Sequence, residues 1–222
     1  MDLKYLSNIN SPEDLKNYSK KDLKPISNEL REYITSTVNE IGGHLASTLG
    51  VVELTTALHY VYDAPKDKII WDTGHQAYAH KVLTGRFSSL KTIRKYKGLS
   101  GFLKRSESEY DVFGAGHAST SISAGLGIAS SRDLNNENFK VVSVIGDGAL
   151  TGGLAYEALN NAGNARKQLL VILNDNQMSI SPNVGAMRNY LMKISTNKYY
   201  NYIRTKIGNL PKTSINDWIE SV

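Results

Sequence analysis

The 222 residues include no cysteine. Disulfides and thiolate metal sites are therefore excluded, and nothing points to an oxidising compartment. No stretch approaches the roughly 18 consecutive apolar residues that a membrane span needs, and the N-terminus carries no apolar signal-peptide core. Basic and aromatic side chains form no shared patch, which argues against a nucleic-acid surface. No internal repeat is visible. What remains is the profile of a soluble, cytoplasmic globular chain, 41% hydrophobic and so able to build a sizeable core. The formal net charge of +5 reflects scattered solubilising lysines, or helps to steer phosphorylated small molecules toward a site.

The apolar pattern alternates between two periods. Asn10-Ser11-Pro12-Glu13 reads as a helix start with proline in the first turn. Ser27 opens a longer helical stretch in which Leu30, Ile34, Val38 and Ile41 share a face, ended by Gly42-Gly43. Val52 through Tyr62 predicts a further helix. Lys68–Trp71 reads as a short strand followed by Asp72-Thr73-Gly74-His75. Residues 84–110 are charged and glycine-containing, the pattern of a surface loop. Asp111–Phe113 predicts a second strand running into Gly114-Ala115-Gly116-His117, and a helix with Ile122, Leu126 and Ala129 on one side follows. Strand, glycine-polar turn, helix, repeated, favours an α/β fold: a parallel sheet with helices on both faces. Residues 188–222 lack clean periodicity and read as a mobile loop or frayed helices.

Two polar stations stand out. Val141–Ile145 leads into Gly146-Asp147-Gly148, and Leu169–Leu173 leads into Asn174-Asp175-Asn176. Each apolar run reads as a buried strand. Between them, Leu154, Ala158, Leu159 and Ala162 fall at helical spacing, with a start at Thr151 and a stop at Gly163-Asn164. Two parallel strands joined by one helix bring Asp147 and Asn176 together at the carboxyl edge of the sheet, where open α/β sheets bind ligands. One carboxylate, one amide oxygen and a nearby carbonyl suit Mg2+, which keeps phosphate oxygens among its ligands. A Gly-Asp-Gly turn alone fits an ordinary strand end, where Asp bonds the local backbone; the second station, behind its own strand, shifts the reading toward a diphosphate site.

The five histidines divide. His59 and His80 lie inside helical runs and read as packed residues. His44, His75 and His117 each follow a glycine at a turn. Any one of them suits a helix cap, but three at the edges of one fold point to a polar site, where imidazole can donate hydrogen bonds and move protons.

Four longer words narrow the reading: GGHLASTLGVVELTTALHYVY (42–62), DTGHQAYAHKVLTGR (72–86), GHASTSISAGLGIA (116–129) and LNDNQMSISPNVGAM (173–187). Together with Gly-Asp-Gly and the later Asn they resemble the 1-deoxy-D-xylulose-5-phosphate synthases, a family of transketolase-like enzymes, from about residue 5 to about residue 190. The resemblance implies a thiamine diphosphate-binding fold with thiamine diphosphate and Mg2+ as cofactors. The reaction it implies is the decarboxylative condensation of pyruvate with glyceraldehyde 3-phosphate, which feeds isoprenoid, thiamine and pyridoxal synthesis.

By the same resemblance, His44 faces the reacting carbon and His75 contacts the cofactor. Gly116, His117 and Ala118 line the cofactor, and Gly148 and Ala149 meet its diphosphate. Asp147, Asn176 and the Met178 carbonyl hold the metal, with Asn176 also at the cofactor. Ala118 replaces the family's usual serine, so a hydroxyl contact there is lost while a backbone contact survives. Leu103 stands where proline is common, a change in loop stiffness.

Members of this family have three domains. The resemblance therefore implies an incomplete first domain over 1–222, without the pyrimidine-binding domain and its activating glutamate. It implies a homodimer, or pairing with a chain that carries the missing domain, and little turnover by this chain alone. Two alternatives remain: the N-terminal subunit of a split transketolase acting on sugar phosphates, and a non-catalytic binding remnant.

Overall fold

A computed structural model describes residues 3–114 and 116–175. Chain order begins with a 3-10 turn (Leu6–Asn8) and helix α1 (Pro12–Lys16). Ser11 caps α1 as the sequence predicts: its backbone N–H donates to Asp14 and its hydroxyl accepts from the Asp14 N–H, a reciprocal capping box. Helix α2 runs Leu23–Ile41, starting four residues before the predicted Ser27. Pro25 is tolerated because the first-turn N–H groups of a helix have no intrahelical acceptor. Ile26, Leu30, Ile34 and Val38 are buried along one face, and Gly42, at φ 78°, ends the helix.

Helices α3 (Leu45–Leu49) and α4 (Val52–Val61) lead to β1 (Lys68–Trp71). Then come α5 (Tyr78–Lys81), a π-type turn at Val82–Arg86 and a 3-10 turn at Leu90–Thr92. Helix α6 (Ser121–Leu134) precedes β2 (Val141–Gly146), the short α7 (Asp147–Leu150), α8 (Gly153–Ala165) and β3 (Leu170–Asn174).

The three strands form one parallel sheet in the order β1-β2-β3, with Trp71 opposite Val144 and Gly146 opposite Asn174. Alternation sends Ile69, Trp71, Val142 and Val144 to one face, against Val51 and Leu58 of the α4 region. Ile70 and Val141 face the other way, toward Ala129 of α6. On that side the Ser143 hydroxyl donates to the Ser121 carbonyl at 2.9 Å. The sheet therefore has helices on both faces, the α/β architecture that the period changes predict. A separate helical core joins α2 to Tyr78, Ala79 and Val82.

Residues 84–110 are mostly turns and bends with partly or fully exposed side chains, as the charged pattern predicts, although Thr84, Arg86, Leu90, Ile93 and Leu103 are buried. The Arg86 guanidinium is drawn inward by paired carboxylates, which no hydrophobic periodicity reports. Three expectations are corrected. The Leu169–Leu173 run is not a buried strand: β3 stands at the end of the described sheet, and its Leu170 and Leu173 are exposed. Asp111–Phe113 is not a strand, because the Asp111 and Val112 N–H groups bond to Ser108 and Tyr110 in local turns. Helix α8 does not stop at Gly163-Asn164 but continues to Ala165, with Arg166 taking the left-handed cap at φ 48°. An interior glycine costs only about 1 kcal/mol against alanine, too little to end a packed helix. Segment 188–222 lies outside the described residues. No helix among them is long and apolar enough to cross a membrane.

Candidate functional site

The carboxyl ends of the strands open on a cavity of about 460 Å³. His44, His75, Ala118, Asp147, Gly148 and Ala149 all line it, together with Ser47, Thr73, Gln76, Gly146 and Asn174. Six positions singled out in the sequence thus converge from four separate turns. Gly116 and His117 are exposed on the 114–120 loop and do not line it. Asn176 and Met178 lie outside the described residues. A larger hollow of about 620 Å³ beside Lys68, Arg105 and Phe113 gathers none of the predicted site residues.

The walls are tied to one another by hydrogen bonds. Asp72, directly after β1, is 1% exposed and accepts from the backbone N–H groups of Ser119 at 2.7 Å and Ser121 at 2.9 Å. That carboxylate fixes the loop carrying Ala118 onto the end of the sheet. The chain passes through left-handed conformations to achieve it, with Thr73 at φ 59° and Ser119 at φ 70°, conformations that non-glycine residues hold only when their surroundings enforce them. The Ser119 hydroxyl then donates to the Ala149 carbonyl at 2.6 Å, joining this loop to the Gly146–Ala149 turn. On the third side, the Thr48 hydroxyl donates to the His75 carbonyl at 3.1 Å.

His44 stands at the N-cap position of α3 without a capping side-chain bond, and its backbone N–H donates to the Tyr78 hydroxyl at 3.3 Å. Its ring lies 5.9 Å from that of His75 and 5.7 Å from that of Phe102, centroid to centroid. Burial, and then the positive charge of Arg94, push the His44 imidazole below its ordinary pKa. Burial followed by the His44 charge lowers His75, against an opposing effect of Asp72. Both rings are therefore neutral at pH 7, each with one N–H to donate and one lone pair. His75 Nδ1 is buried with no partner among the described residues. Gly148 and Ala149 occupy the first turn of α7, where backbone N–H groups have no intrahelical acceptor. Among the described residues beyond its chain neighbours, nothing would lie within 4 Å of a Cβ at Gly146. The strand register sets Gly146 opposite Asn174, and Asp147 and Asp175 are the residues that follow each in the chain. Among the described residues no group of three or more His, Cys, Asp and Glu side chains could hold a metal by itself. Donors for an anion together with a carboxylate at the same edge suit an anionic ligand carried with a cation.

His59 and His80 are packed, as expected, but in an ionic cluster that the sequence reading missed. His59 Nε2 lies 2.9 Å from His80 Nδ1, and His80 Nε2 lies 3.2 Å from Asp111. Arg86 grips Asp111 with both terminal nitrogens, at 2.9 and 2.8 Å. The fully buried Lys81 pairs with Glu107, which also accepts from Arg86 at 3.0 Å. Also missed were Asp72 and Ser119. The available signal for Asp72 was a carboxylate placed immediately after the apolar run Ile69–Trp71.

Comparison with known proteins bears on this geometry. The family model described as 1-deoxy-D-xylulose-5-phosphate synthase matches residues 6–222. The chain belongs to the 1-deoxy-D-xylulose-5-phosphate synthase family. A synthase of that name from Alkaliphilus oremlandii is 56% identical over 212 residues, covering 94% of this chain and 34% of the relative. One from Caldanaerobacter subterraneus is 58% identical over 205 residues, 92% of this chain and 33% of the relative. One from Carboxydothermus hydrogenoformans is 60% identical over 195 residues, 88% of this chain and 31% of the relative. The chain thus spans about a third of the length of the synthases it matches. All four words quoted from the sequence fall inside the span that the synthase family model covers.

Proposed function

We propose that the cavity is the diphosphate and magnesium half of a thiamine diphosphate site in a 1-deoxy-D-xylulose-5-phosphate synthase. That enzyme is a transferase condensing pyruvate with glyceraldehyde 3-phosphate, in the cytoplasm, toward isoprenoid and thiamine synthesis. The observation that carries the reading is the convergence of His44, His75, Ala118, Asp147, Gly148 and Ala149 on one cavity at the carboxyl edge of a parallel sheet. The described residues fit the cofactor: none of them crowds Gly146, first-turn N–H groups stand at Gly148 and Ala149, and a buried His75 nitrogen has no partner among them.

In this reading Gly148 and Ala149 donate backbone N–H groups to the diphosphate. Asp147, with Asn176 and the Met178 carbonyl, holds Mg2+, and Gly116, His117 and Ala118 line the cofactor. When bound, thiamine diphosphate supplies the electron sink for decarboxylation and carbon–carbon bond formation. The neutral His44 imidazole, in the cavity wall, holds or moves a proton near the reacting carbon. Activation of the cofactor falls to a pyrimidine-binding domain, supplied by a homodimer of longer chains or by a separate partner. The 222-residue chain alone is expected to bind the cofactor without appreciable turnover.

Calorimetric titration with thiamine diphosphate, with and without magnesium and beside Asp147→Ala, tests the reading. Magnesium-dependent binding that Asp147→Ala abolishes supports it. Equal binding by the variant, or no binding by a chain shown to be folded, overturns it.

A further inference from the structure

The four residues of α5 face two ways. Tyr78 reaches His44, its hydroxyl accepting the His44 N–H and lying 3.5 Å from His44 Nδ1. His80 and Lys81, on the other sides of the same turn, engage Asp111 and Glu107. These two carboxylates also close their own loop: Glu107 accepts the Ser100 N–H at 2.7 Å, and Asp111 accepts the Lys104 N–H at 2.9 Å. Between the two anchored nitrogens lie Phe102, against the His44 ring, and Leu103, buried in the cluster that includes Val51, Leu58 and Trp71. Just before them, the Arg94 N–H donates to the Leu99 carbonyl at 2.7 Å, which sets the segment bearing Arg94 on the same loop.

We propose that Glu107 and Asp111 are positioning residues for the cavity, holding the 100–111 loop through Lys81, Arg86 and His80 so that Phe102 covers the His44 ring. Glu107 and Asp111 touch no ligand; they act through Phe102. Two carboxylates are needed because each fixes one end of a loop whose tip has no secondary structure of its own. Burial makes the arrangement all-or-none, since a charge left without its partner inside the protein is strongly unfavourable. The functional weight of this device rests on reading His44 as the residue at the reacting carbon. The device itself does not require that reading.

The test is the titration of His44 in the 222-residue chain without cofactor, followed by NMR on histidine-labelled protein and assigned with His44→Gln. The titratable and charged groups facing this ring are His75, Tyr78 and Arg94. Phe102→Ala should uncover the ring and move its titration up toward about 6.5, the free-histidine value. Glu107→Gln should produce the same upward shift. It should also speed tryptic cleavage after the exposed Lys104 and Arg105, which Phe102→Ala should leave at the parental rate. A Glu107→Gln chain that is cleaved faster or melts lower while His44 titrates as before would show a merely structural role and overturn the proposal. An unchanged His44 in Phe102→Ala overturns it whether or not Glu107→Gln folds. Because no cofactor is present, these outcomes stand apart from the calorimetric test of the thiamine diphosphate site.

Discussion

Asp72 Oδ1 accepts the backbone N–H of Ser119, 47 residues later in the chain, at 2.7 Å. Its second oxygen takes the N–H of Ser121. One buried carboxylate therefore joins the end of β1 to the start of α6 and sets the position of Ala118. It satisfies two N–H groups that would otherwise be buried without acceptors.

Asp72→Asn keeps the shape but turns one acceptor into a donor facing an N–H. Loss of a charge-assisted buried bond of this kind costs roughly 1–3 kcal/mol. Urea denaturation should show that loss, and thiamine diphosphate binding should weaken because the Ala118 wall is no longer held. Unchanged stability in Asp72→Asn would falsify the anchoring role.

Gly152 faces the same latch from the other side. A Cβ there would sit 2.2 Å from the Ser119 hydroxyl, so Gly152→Ala must displace the hydroxyl that holds the Ala149 carbonyl. The cost of such overpacking is about 1–3 kcal/mol. Ser119→Ala in the same chain should recover part of it, giving a non-additive double-mutant cycle in thermal melts. Strict additivity would place the strain elsewhere.

Acid should weaken the fold early. Burial, then the charges of His80, Arg86 and Lys16, hold His59 well below its ordinary pKa. Burial likewise lowers His80, against the opposing hydrogen bond to Asp111. Both groups take up protons in the unfolded chain at about pH 6.5 but not in the fold. Their contribution is thus present above that pH and lost as pH falls below it, with a slope approaching about 1.4 kcal/mol per pH unit for each group. His59→Gln keeps an N–H donor toward His80 and does not titrate. Denaturation between pH 7.5 and 5 should show a shallower fall in that variant, and parallel curves would remove His59 from the account.

Elements with a clean period were legible. The β2-α8-β3 order, α4, α6 and the buried face of α2 follow from apolar spacing, but the burial predicted for α8 and β3 does not hold in the described residues, where Leu154, Leu159, Leu170 and Leu173 are exposed. Of the six cavity residues, His44, His75 and Asp147 were legible as polar side chains beside glycines at strand and helix ends, whereas Ala118, Gly148 and Ala149 came through the family resemblance alone. Legibility failed where charge is buried. Arg86, Glu107 and Asp111 look like solvent residues in any hydrophobicity pattern, and only their mutual pairing across 21 to 25 residues makes burial possible. The short Asp111–Phe113 run failed for the same reason, its first residue being committed to Arg86 and His80 rather than to a ladder.

The His59–His80–Asp111 row has one further consequence. A carboxylate can only accept, and hydrogen bonds from His80 and Arg86 hold Asp111 ionised against the opposing effect of burial. His80 must then carry its hydrogen on Nε2 and offer a bare Nδ1. His59 in turn must carry its hydrogen on Nε2, leaving its own Nδ1 bare, and that buried atom has no partner among the described residues. A single ionised oxygen therefore dictates the tautomer of two imidazoles in succession, giving the row one orientation of its hydrogens, with every N–H directed toward Asp111.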